Sequence, residues 1–125
     1  MAEHIAAAAI LEQGWRVGMA QQDSVDLLAW RGDRFLRVQV KGANMNQPNR
    51  YQFQLGSGSR KKKKPSIENY DVVALVGIYH RRVLFLPVEK VQQFTKRLKA
   101  KRFEDPSIET DSWNYTMEII DGRLG

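Results

Sequence analysis

The sequence predicts a mixed α/β fold with a central sheet flanked by helices, and three patterns carry that prediction. An alanine-rich stretch, "AEHIAAAAILEQ", lies near the N-terminus and has high helix propensity. Short segments that alternate apolar and polar residues follow it, as strands with one solvated face do. A nearly continuous apolar segment, "YDVVALVGI", comes later and is typical of a strand covered on both faces.

The first third of the chain predicts one helix and three strands. Residues 2–13 form the helix, and the glycine that follows is a common helix stop. "WRVGMAQ" (15–21), "VDLLAW" (25–30) and "FLRVQVK" (35–41) predict strands. The turn "RGDR" between the second and third strands favours a hairpin, so these two strands are expected to be antiparallel neighbours.

The middle of the chain alternates loops with strands. "GANMNQPN" (42–49) is rich in Gly, Asn and Pro and predicts a loop. "YQFQL" (51–55) predicts a fourth short strand, and "GSGSRKKKKPS" (56–66) a basic loop or hairpin end. The apolar segment 70–78 is followed after a tight turn by "RRVLFL" (81–86), so we expect these two strands to pair.

The last third predicts a helix and then becomes ambiguous. Pro87 suits the first position of a helix, and four apolar residues recur after it at helical spacing: Val88, Val91, Phe94 and Leu98. After that helix, "WNYTMEII" (113–120) predicts either a final strand or an extended segment over the core. At 125 residues, the chain is expected to be a single domain, 1–125.

Positive charge is concentrated in two places. The chain has 20 Lys+Arg against 14 Asp+Glu, a net charge of +6. One cluster holds Arg50, Arg60, Lys61, Lys62, Lys63 and Lys64, and the other holds Lys96, Arg97, Lys99, Lys101 and Arg102. Basic surface makes nucleic acid the first partner to consider, because neutralised phosphates release counterions. The alternative is a solvated charge run.

Composition excludes several kinds of site. With no cysteine there is no disulfide or thiolate zinc site, and two histidines cannot form a histidine-rich metal cluster. Neither GxxxxGK[ST] nor GxSxG occurs. No apolar run approaches the roughly 20 residues of a membrane span. The short apolar run near the N-terminus lacks a basic leading region, so we expect a protein of the reducing cell interior.

Polar residues of the predicted hairpin suggest a site. Asp26 begins one strand, and Gln39 and Lys41 end the next, so the antiparallel ladder would bring these side chains together. A carboxylate and a second oxygen ligand suit Mg²⁺, and a lysine beside it can stabilise phosphoryl charge. The alternative is a surface ion pair between Asp26 and Lys41, which contributes little.

The spacing "D26-x12-Q39-V40-K41" resembles the PD-(D/E)xK phosphodiesterase superfamily. It is most similar to the homing endonucleases of this fold that are associated with group I introns. The resemblance lies in Glu3 of the first helix, Gly14-Trp15 eleven residues later, "VDLLAW" and "RVQVKG". The "YQFQL" strand and the "YDVVALVG…VLFLPVEKV" ending are also similar, so the resemblance covers roughly residues 3–95. It implies a restriction-endonuclease-like core with a mixed central sheet flanked by helices.

The resemblance also implies residue roles. Asp26 would be the central ligand of Mg²⁺, with Mn²⁺ as a substitute. The Gln39 amide and Val40 carbonyl oxygens would complete the protein ligands, and Gln39 in place of the usual acid should weaken metal affinity. Lys41 would orient water and stabilise charge. Glu3 would reach the metal or a coordinated water from the helix, or it would simply favour the helix N-terminus.

Eight further residues are candidate DNA contacts. Arg37 shares the polar strand face and would bind a phosphate near the cut or pair with an acid. Gln54 would face the site or the solvent. Arg50 and the run Arg60–Lys64 would bind the phosphate backbone.

The sequence therefore predicts an Mg²⁺-dependent DNA endonuclease. The resemblance implies hydrolysis that leaves 5′-phosphate and 3′-hydroxyl ends. Because each chain offers one site, cutting both strands suggests a homo-oligomer, a dimer or higher. The expected setting is the cytoplasm of a prokaryote, or a phage gene. The alternatives are a Holliday junction resolvase on the same fold, a non-catalytic DNA-binding module and, less favoured, an RNA-directed nuclease.

Overall fold

Two β-sheets and two α-helices form three layers in the computed structural model, which describes residues 1–22, 25–46, 49–56 and 65–123. The elements are α1 (Ala2–Glu12), β1 (Arg16–Gln22), β2 (Val25–Arg31), β3 (Arg34–Ala43), β4 (Met45–Asn46), β5 (Arg50–Gln54), β6 (Val72–Gly77), β7 (Arg82–Pro87), β8 (Thr95–Lys99) and α2 (Ile108–Gly122). Single 3₁₀ turns occupy Val88–Lys90 and Ala100–Glu104. No helix in the described ranges combines the length and apolarity needed to cross a bilayer.

The central sheet has the strand order β1-β2-β3-β6-β7. β3 pairs antiparallel with β2 and parallel with β6, so the sheet is mixed. β6 and β7 pair antiparallel with Leu75 opposite Leu84. The predicted β2–β3 hairpin and the predicted pairing of the apolar strand with its successor are both confirmed.

Alternation along β3 divides the sheet into two unlike faces. Leu36, Val38 and Val40 are buried in the same cluster as Ala6 and Ile10 of α1, so this face carries the helices. The opposite face receives the alternate residues of β3. Alanines in α1 allow a close approach: a Cβ at Gly42 would lie only 2.9 Å from the Ala2 Cβ. The N-terminus of α1 therefore lies against the end of β3.

The second sheet, β4-β5-β8, packs on the face of the central sheet opposite the helices. Tyr51 and Phe53 of β5 are buried with Val73 and Leu75 of β6. A Cβ at Gly77 would come within 2.8 Å of the Tyr51 ring, so the glycine permits this contact. The predicted loop 42–49 was partly wrong, because β3 continues to Ala43 and Met45–Asn46 form a short strand. Most of the predicted basic loop, residues 57–64, lies outside the described residues.

The predicted helix after Pro87 was wrong. A single 3₁₀ turn is followed by β8, which pairs antiparallel with β5. The alternation in "TKRLK" buries Leu98 and exposes its neighbours Arg97 and Lys99, whereas Phe94 stays exposed. Pairing with a strand distant in sequence outweighed the helical spacing of four apolar residues, as tertiary context often does.

The C-terminal segment was also predicted wrongly, as a strand or extended segment, and is the helix α2. Trp113, Thr116 and Ile120 are buried at helical spacing. The Trp113 ring meets the Phe85 ring edge-on at 4.9 Å. Thr116 interrupts the apolar pattern, which obscured the helix in the sequence.

Side chains of α2 satisfy backbone donors on the outer edge of β7. The Val83 N–H donates to Glu109 Oε2 at 3.2 Å, and the Phe85 N–H donates to Ser112 Oγ at 2.9 Å. Burial raises the pKa of the Glu109 carboxyl. Edge strands with unpaired backbone groups are sites of unwanted pairing, so α2 both covers this edge and fixes its own position on it.

An ion-pair network joins β3 to the end of α2. Asp71, just before β6, accepts hydrogen bonds from the Arg37 Nε at 3.1 Å and the Arg123 Nη1 at 2.9 Å. Arg123 also donates to both carboxylate oxygens of Glu89. Burial of the Asp71 carboxylate opposes its ionisation, but the hydrogen bonds from Arg37 and Arg123 outweigh burial, so the pKa of Asp71 lies below its ordinary value.

We expect Ser112→Ala to lower the free energy of unfolding by about 1–3 kcal/mol, because it leaves the buried Phe85 N–H without its acceptor. Urea denaturation followed by circular dichroism measures this. Ser107→Ala is the matched control: Ser107 is exposed and makes no side-chain cap at the start of α2, so a change within about 0.5 kcal/mol is expected. Equal losses in the two variants would contradict the assigned role of Ser112.

We expect Asp71→Asn to destabilise the protein by about 1–3 kcal/mol at pH 7, because charge-assisted hydrogen bonds are weakened. Since the folded pKa lies below the unfolded one, the stabilisation is complete above the unfolded carboxyl pKa and disappears as pH falls through the folded pKa. The gap between wild type and variant should therefore narrow from pH 5 to pH 3, roughly. Urea titrations across this range test it, with Asp33→Asn in the exposed β2–β3 turn as control. A gap that does not change with pH would contradict the assignment.

Candidate active site

The end of the β2–β3 ladder brings Asp26 to the backbone of β3. Leu27 pairs with Val38, which places Asp26 opposite Gln39 one step further along the antiparallel register. The carboxylate Oδ2 of Asp26 accepts a hydrogen bond from the Val40 N–H at 2.8 Å. A side-chain carboxylate thus takes the place of a backbone acceptor where the two strands separate.

The Val40 carbonyl points to the same side as its N–H. In a strand, the N–H and C=O of one residue point to the same neighbour, and the Val40 N–H points to Asp26. The Val40 carbonyl oxygen and the Asp26 carboxylate therefore lie on the same side of β3. Both are hard oxygen donors of the kind that Mg²⁺ and Ca²⁺ prefer.

Gln39 contributes a buried oxygen that has no partner. Its Oε1 is inaccessible to solvent and accepts no hydrogen bond within the described residues. Leaving a buried polar atom unpaired costs roughly 1–3 kcal/mol, so such an atom indicates a missing water, ion or functional role. A divalent cation held by the oxygens of Asp26, Gln39 and Val40 would satisfy it, and the donor set fits a hard cation.

Lys41 shares a face with Gln39, since it lies two residues further along β3. Within the ranges that the structure describes, the Lys41 ammonium makes no ion pair, so the surface pair with Asp26 does not form. Its positive charge remains available to a ligand next to Gln39.

Glu3 lies in the first turn of α1, which approaches the end of β3 through the Ala2–Gly42 contact. Its carboxylate is 3.7 Å from the terminal amino group of Met1. In the described part of the chain, no group of three His, Cys, Asp or Glu side chains is assembled for a metal. The structure therefore brings Asp26, Gln39, Val40 and Lys41 together, and it leaves Glu3 nearby on the helix end.

The structure describes three of the candidate DNA contacts, and two of these make hydrogen bonds to other protein groups. Arg37 pairs with Asp71 and also donates to the carbonyls of Ile67 and Glu68, which corresponds to the acid-pairing alternative. Gln54 is exposed, and its Oε1 accepts a hydrogen bond from the Thr95 hydroxyl at 3.1 Å. Arg50 is exposed at the start of β5. Arg60–Lys64 lie outside the described residues.

Reasoning from the sequence counted Arg97 and Lys99 in a basic cluster but did not place them beside Arg50 and Gln54. Gln52 lies on the same face of β5, and Arg97 and Lys99 of β8 lie opposite Gln52 and Arg50. The alternation in "YQFQL" and "TKRLK" was the available signal. It was overlooked in the second segment because that segment was predicted to be helical.

Comparison with solved structures finds the same architecture in another protein. The chain superimposes on the structure of a bacterial homing endonuclease, I-Ssp6803I, with a TM-score of 0.74 and 18% sequence identity, covering 99% of this chain and 93% of that one. This similarity confirms the predicted α/β, restriction-endonuclease-like fold. No curated protein matches the chain in sequence.

Comparison with protein families finds a match over most of the chain. Residues 1–118 match the family described as PD-(D/E)XK endonuclease. The resemblance seen in "VDLLAW" and "RVQVKG" is thereby confirmed. With Asp26 and the Gln39–Lys41 segment at one end of a mixed sheet, and with this family match, the chain belongs to the PD-(D/E)XK endonucleases.

Proposed function

We propose that this protein is a divalent-metal-dependent DNA endonuclease, similar in role to the homing endonucleases. It hydrolyses phosphodiester bonds of DNA in an active site formed by Asp26, Gln39, Val40 and Lys41. The observation that carries the proposal is the buried, unpaired Oε1 of Gln39 on the strand that meets Asp26. An unpaired oxygen there destabilises the fold unless a ligand completes it. Family membership supports the endonuclease reaction.

Three oxygens would hold the metal: the Asp26 carboxylate, the Gln39 amide oxygen and the Val40 carbonyl. Mg²⁺ is the proposed ion, with Mn²⁺ as a substitute, since both prefer oxygen ligands. The bound ion would supply Lewis-acid charge to the phosphodiester and to the attacking water. Since Gln39 is neutral, the site has less negative charge than one with two acids, and it should bind the ion more weakly.

Lys41 would act on the phosphate itself. Its ammonium, free of ion pairs in the described part of the chain, can donate hydrogen bonds to the non-bridging oxygens and to the attacking water. A positive charge fixed where negative charge develops stabilises the transition state. Glu3, on the helix end beside β3, would bind a water of the site from outside the protein ligands.

Double-stranded DNA is the proposed substrate. Arg50 and the run Arg60–Lys64 would bind phosphates along the backbone. Arg37 is left out of this set, because its guanidinium is bound to Asp71. One chain supplies one site, so cutting both strands requires two copies, and a two-fold dimer or a larger symmetric assembly is proposed. The proposed setting is the prokaryotic cytoplasm, where the DNA lies.

We expect the purified full chain to cut a plasmid library with randomised inserts in Mg²⁺ or Mn²⁺ and not in EDTA. Asp26→Ala and Lys41→Ala should each lower the rate by roughly 100-fold or more, since each removes a group that acts on the reacting phosphate. Gel analysis gives the rate, and sequencing of the ends gives the cut positions.

The controls for cutting are Asp33→Ala and Lys90→Ala, which remove the same charges at exposed positions away from the site. Both should retain the wild-type rate. DNA binding without metal-dependent cutting of any library member would contradict the proposal, as would full activity in Asp26→Ala.

We expect Gln39→Leu to remove metal binding while leaving the metal-free fold at least as stable. The substitution replaces a buried unpaired amide with an apolar side chain of similar size. Mg²⁺ or Mn²⁺ should raise the melting temperature of the wild type, because a ligand that binds only the folded state stabilises it. The melting temperature of Gln39→Leu should not respond.

The matched control for this measurement is Gln54→Leu, an exposed glutamine of the second sheet that should keep the wild-type response to metal. An equal metal response in wild type and Gln39→Leu, measured by differential scanning calorimetry, would argue against Gln39 as a ligand.

A further inference from the structure

The second sheet presents a polar face on the side away from the core, where four residues are exposed and Gln52 and Thr95 are half-buried. Cross-strand pairs set its layout, because directly opposed residues point to the same side of a sheet. Arg50 lies opposite Lys99, Gln52 opposite Arg97 and Gln54 opposite Thr95. We call these six residues the outer polar face. None of them is acidic, and the alternate residues Tyr51, Phe53 and Leu98 are buried beneath them.

Hydrogen bonds across the outer polar face orient its amides. The Arg97 Nε donates to Gln52 Oε1 at 3.0 Å, and the Thr95 hydroxyl donates to Gln54 Oε1 at 3.1 Å. Each amide oxygen is thereby fixed, so the amide nitrogens of Gln52 and Gln54 are turned away from these partners. The two terminal nitrogens of Arg97 donate no hydrogen bond to another group in the described part of the chain. The face therefore carries a row of pre-oriented donors.

Like charges on this face indicate an anionic partner. Arg50 and Lys99 are directly opposed cations, an arrangement that destabilises a sheet unless negative charge lies nearby. They also line a cleft of about 450 Å³ with Asn49, Lys101 and Glu104, so three cations face a single carboxylate there. A solvated sheet face would gain stability from alternating charges at such a pair. A polyanion resolves the repulsion, and its phosphates would reach the cleft.

The arginine and glutamine residues of the outer polar face favour double-stranded DNA among anionic partners. In the DNA major groove, arginine makes two hydrogen bonds to guanine and glutamine makes two to adenine. The groove is roughly 12 Å wide and admits a two-stranded antiparallel ribbon. β5 and β8 form such a ribbon from Gln52 to Gln54, and the short strand β4 lies beside β5 only at Arg50 and Tyr51. A glutamine–arginine pair lies at the centre of the ribbon and cations lie at one end.

The outer polar face and the candidate active site face the same direction. The second sheet packs on the face of the central sheet that carries Gln39 and Lys41. The outer side of the second sheet therefore points in the same direction as the Gln39 and Lys41 side chains. Stacked sheets lie about 10 Å apart, which sets a step of that height between the two surfaces. One duplex can therefore contact both surfaces. A phosphate would lie at the candidate active site, and the major groove would lie over the outer polar face.

We propose that the outer polar face enters the major groove of double-stranded DNA and reads its sequence, with Arg97 on guanine and Gln52 on adenine. The Gln52 Nε2 donates to adenine N7, and the second lone pair of its Oε1 accepts from adenine N6. Arg50 and Lys99 bind the flanking phosphates. This inference rests on the proposed function, because it assigns the sequence recognition of the same endonuclease. It makes the second sheet the determinant of where the enzyme cuts.

The test is selection of bound duplexes from a randomised library by the full chain in EDTA, followed by sequencing. Wild type should enrich one motif. Gln52→Glu keeps the acceptor for Arg97 but loses the amide donor, so preference at one base pair should change from adenine toward cytosine, which donates to carboxylates. Arg97→Ala should lose a guanine preference of roughly ten-fold or more at a neighbouring position. Arg31→Ala, which removes an exposed charge at the end of β2, should keep the wild-type motif.

Three outcomes would overturn the reading role while the proposed function stands. The first is an unchanged motif in both variants, and the second is metal-dependent cutting with no enriched motif. The third is a loss of affinity in Arg97→Ala that is the same for all sequences, with a lower salt dependence, because this indicates a phosphate contact. Absence of both DNA binding and metal-dependent cutting would overturn the two proposals together. Melting curves establish that each variant is folded, and Gln52→Glu tests the idea even where Arg97→Ala is unstable.

Discussion

The register of β3 is the constraint on which the rest of this structure depends. β3 is antiparallel to β2 on one side and parallel to β6 on the other, so its alternation fixes the two faces of the sheet. A slip of one residue would turn Val38 and Val40 away from the helices and bury Gln39 and Lys41 under α1. The core and the candidate site are thus set by one choice of pairing. The Asp26 carboxylate stabilises this register, because it accepts a hydrogen bond from the Val40 N–H beyond the last backbone pair of β2 and β3.

Stability and function compete at this end of the sheet. The unpaired Gln39 oxygen is a local cost that a well-packed core would avoid. The other end of the same strand has the opposite character, since every oxygen of the Asp71 carboxylate is bonded to Arg37 or Arg123. Arg123 extends this network to Glu89, so the helix end, the strand and the 3₁₀ turn are tied together. A firmly anchored strand can tolerate one unsatisfied group at the candidate site.

Local sequence patterns predicted most of the strands. The strand that they did not predict, β8, depends on pairing with a strand distant in sequence. β2, β3, β6 and β7 follow from alternation, an apolar run and turn residues, all of which lie within a few positions of each other. β8 depends on β5, about forty positions earlier, and its helical spacing of apolar residues gave no sign of that partner. Asp26, Gln39 and Lys41 were predicted as a site partly because a hairpin brings distant residues together, and mainly from the family resemblance. The pairing of Arg37 with Asp71 and the isolation of Gln39 Oε1 require tertiary packing, so no motif could reveal them.

On the proposed function, the two-sheet arrangement places catalysis and DNA recognition on different sheets. Residues of the candidate active site sit on strands whose other face is the core, so substitutions there disturb register and packing together. The outer polar face has a different dependence: Tyr51, Phe53 and Leu98 fix the second sheet from below, while Gln52, Gln54 and Arg97 project outward from it. Exposed strand positions contribute little to folding stability. On the proposed function, target sequence can therefore change through outward residues while the metal ligands and the core stay as they are.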